Sequence, residues 1–256
     1  MQTGVVVIDS IYHSAEFPSS ESEVLPGVKW GLIEAFPSPA YWAYQLWANT
    51  HLADPIIYKL GNTLTEEVAA CLLGGHGIPA TVGLAAFAHL RAKGVFERDY
   101  WSEEMIFAVL SEPLNVDGKS VKYRFARQKA RYLSAAMAHL QAQQAPLFSG
   151  RALRDWLLEI PGIGYKTASW IARNHLGADD VAILDIHILR AGQLGGFFTQ
   201  GLTVERHYLR LEQEFLAFSR GLGVRASDLD ALIWLQMMSS PSVVHGLLGV
   251  FSAKAA

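Results

Sequence analysis

The chain has 256 residues, of which 51% are hydrophobic and 18% are charged, and its formal net charge at pH 7 is −3. This composition excludes an intrinsically disordered chain, and the length suffices for one large domain or two smaller lobes. No apolar run approaches the ~20 residues of a membrane-spanning helix. The one cysteine, Cys71, excludes an internal disulfide bond and a four-cysteine zinc or iron–sulfur site. The first 14 residues lack the basic region of a signal peptide, so we expect an intracellular protein.

The first half of the chain predicts helices that follow a short β-prone start. Val5 to Ile8 is β-prone, whereas residues 9–37 carry Ser, Pro and Gly without periodicity and are expected to be irregular. Ser38 before Pro39 is typical of a helix N-terminus, and predicts a helix to about Asn49. Further helices are predicted from Thr65 to about Leu73, from Pro79 to Lys93 and from Ser102 to Ser111. The loop Gly74–Gly77, between the helices predicted to end at Leu73 and to begin at Pro79, places three glycines around His76.

A basic stretch precedes the second half of the chain. Residues 119–131 hold six basic residues and no acidic one, and a helix is predicted from about Phe125. On that helix Arg124, Arg127 and Arg131 share a face by their spacing of three and four residues. Such a face can follow the phosphates of a nucleic acid, although a charge run alone is also typical of a solvated surface.

Two short helices then enclose a glycine-rich turn. Leu153, Trp156, Leu157 and Ile160 form one apolar helical stripe, which Pro161 and Gly162 end; a second stripe starts at Tyr165. Gly164 is expected to take the positive φ of the turn. The pattern predicts a helix-hairpin-helix, in which the backbone N–H groups and dipole of the second helix favour a phosphate. A hairpin of two helices that binds no ligand is the alternative.

Lys166 lies in the first turn of the second hairpin helix, and Asp185 follows 19 residues later. The positive end of the helix dipole disfavours the charged lysine, and a lysine that loses its proton readily is a usable nucleophile. Asp185 precedes an apolar run and is predicted to be a helix N-cap, which keeps its carboxylate ionised. An amine facing such a carboxylate suits cleavage at an anomeric carbon, because the carboxylate stabilises an oxocarbenium ion and the amine captures C1′.

Two more helices are predicted near the C-terminal end. One runs from about Val204 to Gly221, and the other contains DLDALIWLQMM, with Ser227 and Asp230 as a capping box. We therefore predict an all-α fold with a short β-prone N-terminal segment.

The stretch PGIGYKTASWIAR followed by ILDIHILR resembles the helix-hairpin-helix DNA glycosylases with a Gly/Pro-rich loop and a trailing aspartate. Within that superfamily the stretch is most similar to the 8-oxoguanine DNA glycosylase/AP lyase branch. The match covers about 40 residues, and elsewhere only the helical layout is similar. The resemblance implies a single domain over residues 1–256, built from two helical lobes with a cleft between them. The expected lobes are residues 1–97 with 190–256, and residues 98–189, which carry the hairpin.

The same resemblance implies base-excision repair by removal of 8-oxoguanine, with Lys166 as Schiff-base nucleophile and Asp185 as its carboxylate partner. It also assigns DNA contacts, which are Gly162, Gly164, Tyr165, His187, Arg124, Arg127 and Arg131. His76 is expected to fill the gap left by the extruded base, and Trp234 and Gln236 to contact that base. A surface role for His76 and core packing for Trp234 are the alternatives.

The resemblance further implies the cofactors and partners. The backbone carbonyls of Leu158, Ile160 and Ile163 are expected to bind a structural Na⁺ or K⁺, with no other cofactor and no iron–sulfur cluster. The expected partner is double-stranded DNA that contains a damaged base, bound by a monomer at the nucleoid in the cytoplasm and away from membranes.

Two other functions remain open at this point. The first is a glycosylase/lyase for another damaged base; relatives that act on oxidised pyrimidines usually carry a four-cysteine cluster, and relatives that remove adenine usually lack the lysine. The second is a non-catalytic DNA-binding protein that uses the hairpin only to hold the backbone. Such a protein has no need of both Lys166 and Asp185.

Overall fold

The structure, a computed structural model, describes residues 1–52, 58–75, 77–97 and 101–255. These residues are mainly helical, with three small two-stranded sheets among them. The chain divides into two compact units, Met1–Ile57 with Asp179–Ala256, and Tyr58–Ala178. We call the first the terminal unit and the second the hairpin unit.

The terminal unit packs helices from both ends of the chain around one apolar core. Its helices are α1 (Pro39–Leu52), α8 (Ile186–Gly195), α9 (Val204–Leu222), α10 (Ala226–Ser239) and α11 (Pro241–Ala255). The helices α2 to α7 lie in the hairpin unit. Trp42 on α1 and Phe215 on α9 are both fully buried in this core. Phe218 stacks on Phe197 with ring centroids 3.8 Å apart. The helix α11 was not predicted from the sequence.

Two β-hairpins begin the terminal unit. The first pairs β1 (Gln2–Ile8) with β2 (Ile11–Phe17), and the second pairs β3 (Glu23–Leu25) with β4 (Val28–Lys29). The prediction that residues 9–37 are irregular was therefore wrong for β2, β3 and β4. Asp9 and Ser10 both have positive φ, at 50° and 65°, as a two-residue hairpin turn requires. Val5 to Ile8 was predicted as an edge strand or a hairpin arm, but Asp-Ser is a weaker turn signal than Asn-Gly, so the sequence pattern did not reveal the second strand, β2.

The hairpin unit contains the remaining described helices and a third β-hairpin. Its helices are α2 (Leu64–Leu73), α3 (Ala80–Ala92), a short 3₁₀ helix (Val95–Glu97), α4 (Glu103–Ser111), α5 (Ala126–Ala142), α6 (Gly150–Leu157) and α7 (Tyr165–Leu176). The strands β5 (Leu114–Val116) and β6 (Lys119–Val121) pair through a turn in which Asp117 and Gly118 both have positive φ. This Asp-Gly turn was missed because the flanking strands are only three residues long.

The predicted lobe boundaries differ from those of the two units. Residues 58–97 were assigned to the other lobe, but α2 packs against α7 in the hairpin unit. The reason is a buried polar contact, because Asn174 Nδ2 on α7 donates to Glu67 Oε1 on α2 at 2.7 Å. Residues 179–189 in turn belong to the terminal unit, where Ile183 N donates to Asp230 Oδ2 at 3.1 Å. A cleft between the lobes stays a prediction.

Within the described ranges, no single helix is long and apolar enough to cross a membrane. The helices α10 and α11 reach that length only as a pair, which is bent by 89° at their junction.

Candidate active site

The helix-hairpin-helix predicted from the sequence is formed by α6, a turn over residues 158–164, and α7. Ser149 caps α6 by accepting the N–H of Ala152 at 3.1 Å. The apolar stripe packs as predicted, with Leu153, Leu157 and Ile160 all buried. The turn closes with Ile163 N donating to Ile160 O at 3.1 Å, so α7 begins directly after the second glycine of the motif.

The two glycines of the turn have different roles from those predicted. Gly164 was expected to need positive φ, but its φ is −105° and it serves as the N-cap of α7. Gly162 is the residue in the left-handed region, with φ of 87°. A Cβ at Gly162 would also overlap the ring of Tyr132 on α5. At Gly164 a Cβ would meet no heavy atom within 4 Å, as far as the described residues reach.

Alanine substitutions at these two glycines are expected to differ sharply in stability. Gly162→Ala should lower the free energy of unfolding by about 2 to 4 kcal/mol, because left-handed strain and overlap with Tyr132 add together. Gly164→Ala, the matched control, should lower it by less than about 1 kcal/mol, the difference between Gly and Ala at an N-cap. Urea unfolding of the two variants measures both values. Equal stability of the two variants would contradict the assignment.

Lys166 is exposed in the first turn of α7, beside the exposed ring of Tyr165. The guanidinium carbon of the buried Arg154 on α6 lies 5.7 Å from the centre of that ring. Trp170 follows Lys166 by four residues and so lies on the same face of α7. A Cβ at Gly74 would lie 3.9 Å from the Trp170 ring, so the beginning of the Gly74–Gly77 loop adjoins this face.

Asp185 is the N-cap of α8, as predicted. Its Oδ1 accepts the N–H groups of His187 at 2.8 Å and of Ile188 at 3.1 Å. His187, the predicted contact to the DNA backbone, lies in the first turn of the same helix and is half-buried. The aspartate belongs to the terminal unit and Lys166 to the hairpin unit.

The segment before Asp185 is held by buried side chains that the sequence pattern did not single out. The hydroxyl of Tyr208 donates to Ala182 O at 2.7 Å and accepts from Leu184 N at 3.2 Å. Asp230 was predicted to form a capping box with Ser227, but α10 begins at Ala226 and has Arg225 at its N-cap. The Asp230 carboxylate instead accepts the N–H of Ile183, because the buried approach to Asp185 has backbone donors to satisfy.

A polar cluster on α1 and α10 surrounds one of the predicted base contacts. Tyr41 Oη donates to Gln236 Oε1 at 2.7 Å, and Gln236 Nε2 donates to Gln45 Oε1 at 3.1 Å. Burial raises the pKa of Tyr41, which keeps its hydroxyl a neutral donor. Trp234 is 42% exposed, so the structure does not place it in the core. Gln45 was missed, although a polar side chain within the aromatic run AYWAYQLW was a visible signal.

The three predicted phosphate-binding arginines line one surface pocket of about 440 Å³, together with Glu103, Phe125 and Gln128. They are not equivalent, because Arg127 forms ion pairs with Glu103 and Glu104 while its guanidinium lies 3.6 Å from the centre of the Phe107 ring. Lys129, from the same basic stretch, turns inward and donates to two backbone carbonyls of the hairpin unit. The basic stretch is thus a smaller cationic edge than its composition predicts.

The predicted gap-filling residue and the predicted cation site are the last two sites. His76 lies outside the residues that the structure describes. No group of three or more His, Cys, Asp or Glu side chains in the described ranges is arranged to bind a metal ion. The expected cation ligands are backbone carbonyls, of which that of Ile160 already accepts the N–H of Ile163.

These features define the chain as a helical protein of the helix-hairpin-helix class, with an exposed lysine directly after the hairpin turn. Residues 59–224 match the family model described as Ogg-HhH, 8-oxoguanine DNA glycosylase. The chain belongs to the 8-oxoguanine DNA glycosylase family.

Curated relatives agree with this assignment, and a solved structure shares the fold. An 8-oxoguanine DNA glycosylase/AP lyase of Saccharolobus islandicus is 31% identical over 193 residues, which is 69% of this chain and 86% of the relative. A protein of the same name from Methanocaldococcus jannaschii is 32% identical over 128 residues, covering 48% of this chain and 61% of that protein. The crystal structure of the 8-oxoguanine DNA glycosylase of Thermotoga maritima superposes with a TM-score of 0.57 at 22% identity, covering 77% of this chain and 95% of that one. The all-α fold class is confirmed.

Proposed function

We propose that this protein removes 8-oxoguanine from DNA in base-excision repair, as a glycosylase that also cleaves the resulting abasic strand. The observation that carries the proposal is the family match over residues 59–224, which includes both Lys166 and Asp185. The hairpin geometry supports it, because Lys166 is exposed in the first turn of α7.

The chemistry assigns one step to each of these two residues. Lys166 Nζ attacks C1′ of the damaged nucleotide as the bond from C1′ to the base breaks, and the base leaves with the bonding electrons. Asp185 stabilises the positive charge that develops on the sugar during this step. Opening of the sugar ring converts the C1′ adduct into an imine. Loss of a C2′ proton from the imine then expels the 3′ phosphate by β-elimination.

The hairpin turn is the proposed site for a backbone phosphate. Gly164 at the N-cap of α7 has no side chain that would exclude a phosphate from the helix N-terminus, where the dipole favours an anion. Gly162 makes the turn possible, and Tyr165 and His187 are the proposed neighbouring contacts.

A monovalent cation is the proposed second component of the turn. Na⁺ or K⁺ would be held by the carbonyls of Leu158, Ile160 and Ile163. The carbonyl of Ile160 has a second lone pair beside its hydrogen bond to Ile163 N, so the donor set fits such a cation.

The base contacts are proposed for α10 and for the loop after α2. Trp234 is 42% exposed and is the proposed stacking partner of an extruded base, and the Gln236 amide is oriented by Tyr41 and Gln45. His76 is the proposed residue that occupies the gap in the duplex. We also propose that the protein acts as a monomer, in the cytoplasm at the nucleoid.

The arginines are expected to contribute unequally to DNA affinity. Arg131→Ala should reduce the slope of log K against log salt concentration by about one, the value for a lost phosphate contact. Arg127→Ala should change that slope less, because Glu103 and Glu104 already offset the charge of Arg127. Fluorescence anisotropy with undamaged duplex at several salt concentrations measures the slopes. A larger change for Arg127→Ala than for Arg131→Ala would contradict this ranking.

Borohydride trapping tests the proposed function directly. The wild-type protein is incubated with borohydride and with duplexes that carry 8-oxoguanine, an oxidised pyrimidine or no lesion. We expect a covalent protein–DNA complex and strand cleavage with the 8-oxoguanine duplex. Trapping only with the oxidised pyrimidine would reassign the substrate. Binding that is salt-sensitive and independent of the lesion, without cleavage, would identify a non-catalytic DNA-binding protein.

A further inference from the structure

One face of α5 contacts both glycine-rich loops of the hairpin unit. Phe125, Lys129 and Tyr132 follow one another at spacings of four and three residues, and so share this face. A Cβ at Gly77 would lie 3.8 Å from the Phe125 ring, and a Cβ at Gly162 would overlap the ring of Tyr132. The same helix therefore supports the Gly74–Gly77 loop near its start and the hairpin turn one to two turns later.

Lys129 is the polar contact on this face. Its Nζ donates to Leu72 O at 2.5 Å and to Gly74 O at 3.0 Å, which are carbonyls at the C-terminal end of α2. The buried hydroxyl of Tyr123 donates to the carbonyl between them, Leu73 O, at 2.6 Å. These two side chains thus hold the last turn of α2 and the first residue of the loop.

The ammonium of Lys129 is held in an unusual setting for a lysine in a basic stretch. Burial lowers its pKa, and within the described ranges no carboxylate forms an ion pair with it. Its burial is therefore offset by the two backbone carbonyls, whose partial negative charge at a helix C-terminus favours a cation. A side chain placed in this way holds the end of α2 and the first residue of the loop that follows it.

The two rings that contact the glycine-rich loops lie a short distance apart along α5. Phe125 and Tyr132 are seven residues apart, which corresponds to ~10 Å along a helix with 1.5 Å rise per residue. A duplex rises 3.4 Å for each nucleotide of a strand, so ~10 Å corresponds to about three base pairs. Arg124 and Arg131, which line the pocket on the neighbouring face of α5, carry the positive charge that such a duplex requires.

We propose that Lys129 is a positioning residue that holds the end of α2 and Gly74 at a set spacing from the hairpin turn, so that the loop beginning at Gly74 and the hairpin turn engage one duplex around an extruded base. This inference rests on the proposed function. Loss of Lys129 should therefore affect excision of a base more than reaction at an abasic nucleotide, because the loop matters most when a stacked base must leave the duplex. An abasic nucleotide has no base to unstack, so its capture by Lys166 should depend little on the loop.

The variant Lys129→Met removes the ammonium and keeps the length of the side chain. With an 8-oxoguanine·cytosine duplex we expect kcat/KM for base excision to fall by ~10-fold or more, because unstacking a base requires a few kcal/mol and 1.4 kcal/mol is a factor of ten. Borohydride trapping on an abasic duplex of the same sequence should stay within about twofold of wild type, since that substrate needs no unstacking. Lys129→Arg, which keeps a long cationic donor, should restore most of the excision rate.

Two further variants make the test specific. Lys93→Met, which removes an ammonium paired with Glu112 at 2.6 Å elsewhere in the unit, should leave both reactions unchanged. Phe125→Leu, which withdraws the ring beneath Gly77, should repeat the selective loss if Lys129→Met does not fold. Equal loss on both duplexes, or no loss on either, would overturn the inference. A wild-type protein inactive on both duplexes would instead overturn the proposed function.

Discussion

Replacement of Lys166 by glutamine is expected to abolish the covalent complex with DNA in the presence of borohydride. Glutamine has no nucleophilic amine, so no imine can form at C1′, and cleavage of the strand should fall roughly 10³-fold or more, as when other enzymes lose their nucleophile. The fold should be retained, because Lys166 is exposed and glutamine has nearly the helix propensity of lysine. Gel analysis after borohydride treatment of an 8-oxoguanine duplex measures the complex.

The control for this experiment is Lys93→Gln. Lys93 has a side chain that is 43% exposed and an ammonium paired with Glu112, at the C-terminal end of α3. This variant should form the covalent complex at the wild-type rate. Undiminished trapping by Lys166→Gln would show that another amine is the nucleophile, and would remove the central residue of the proposed mechanism.

Replacement of Asp185 by asparagine is expected to slow base excision by roughly 10² to 10³-fold, the usual effect of removing one group that stabilises charge in a transition state. In the structure, this substitution preserves the cap of α8. Asp185 Oδ1 caps α8 through the N–H groups of His187 and Ile188, and asparagine caps helices as well as aspartate does. The variant therefore loses the negative charge and keeps the helix start.

Two further measurements separate charge from structure at this position. DNA affinity of Asp185→Asn, measured by anisotropy, should remain within a few-fold of wild type, because the substitution removes a group of the same sign as the phosphates. Asp185→Ala should lose the charge and the cap together, and so should also unfold more easily by about 1 kcal/mol. Near-normal excision by Asp185→Asn would contradict the role of the carboxylate, whatever the behaviour of the alanine variant.

Much of the helical structure could be predicted from local patterns. The stripe through Leu153 and Leu157 identified α6, and these two leucines are fully buried. Asp185 was identified as a cap and Ser102 as a helix start, because a capping side chain and the N–H groups it accepts lie within three residues of each other. The turn at residues 9–10 has a weak sequence signal, and the strands on either side of residues 117–118 are only three residues long, so neither turn was predicted.

Roles that depend on contacts between distant residues could not be predicted in this way. Lys129 belongs to a basic stretch by sequence, yet it holds the end of α2, more than 50 residues away. Gly162 and Gly164 look alike in the motif, and only the ring of Tyr132 and the backbone angles distinguish them. Asp230 has the spacing of a capping box, but its carboxylate accepts the N–H of Ile183.

The sequence by itself determined the all-α class, the helix-hairpin-helix and the placement of Lys166 after its turn, because each depends on residues within a few turns of one another. Tertiary structure alone decided that α2 packs against α7 of the hairpin, which glycine takes positive φ and which basic side chain turns inward. These outcomes depend on burial, because a buried donor or acceptor takes whichever partner the packing brings to it, at any distance along the chain.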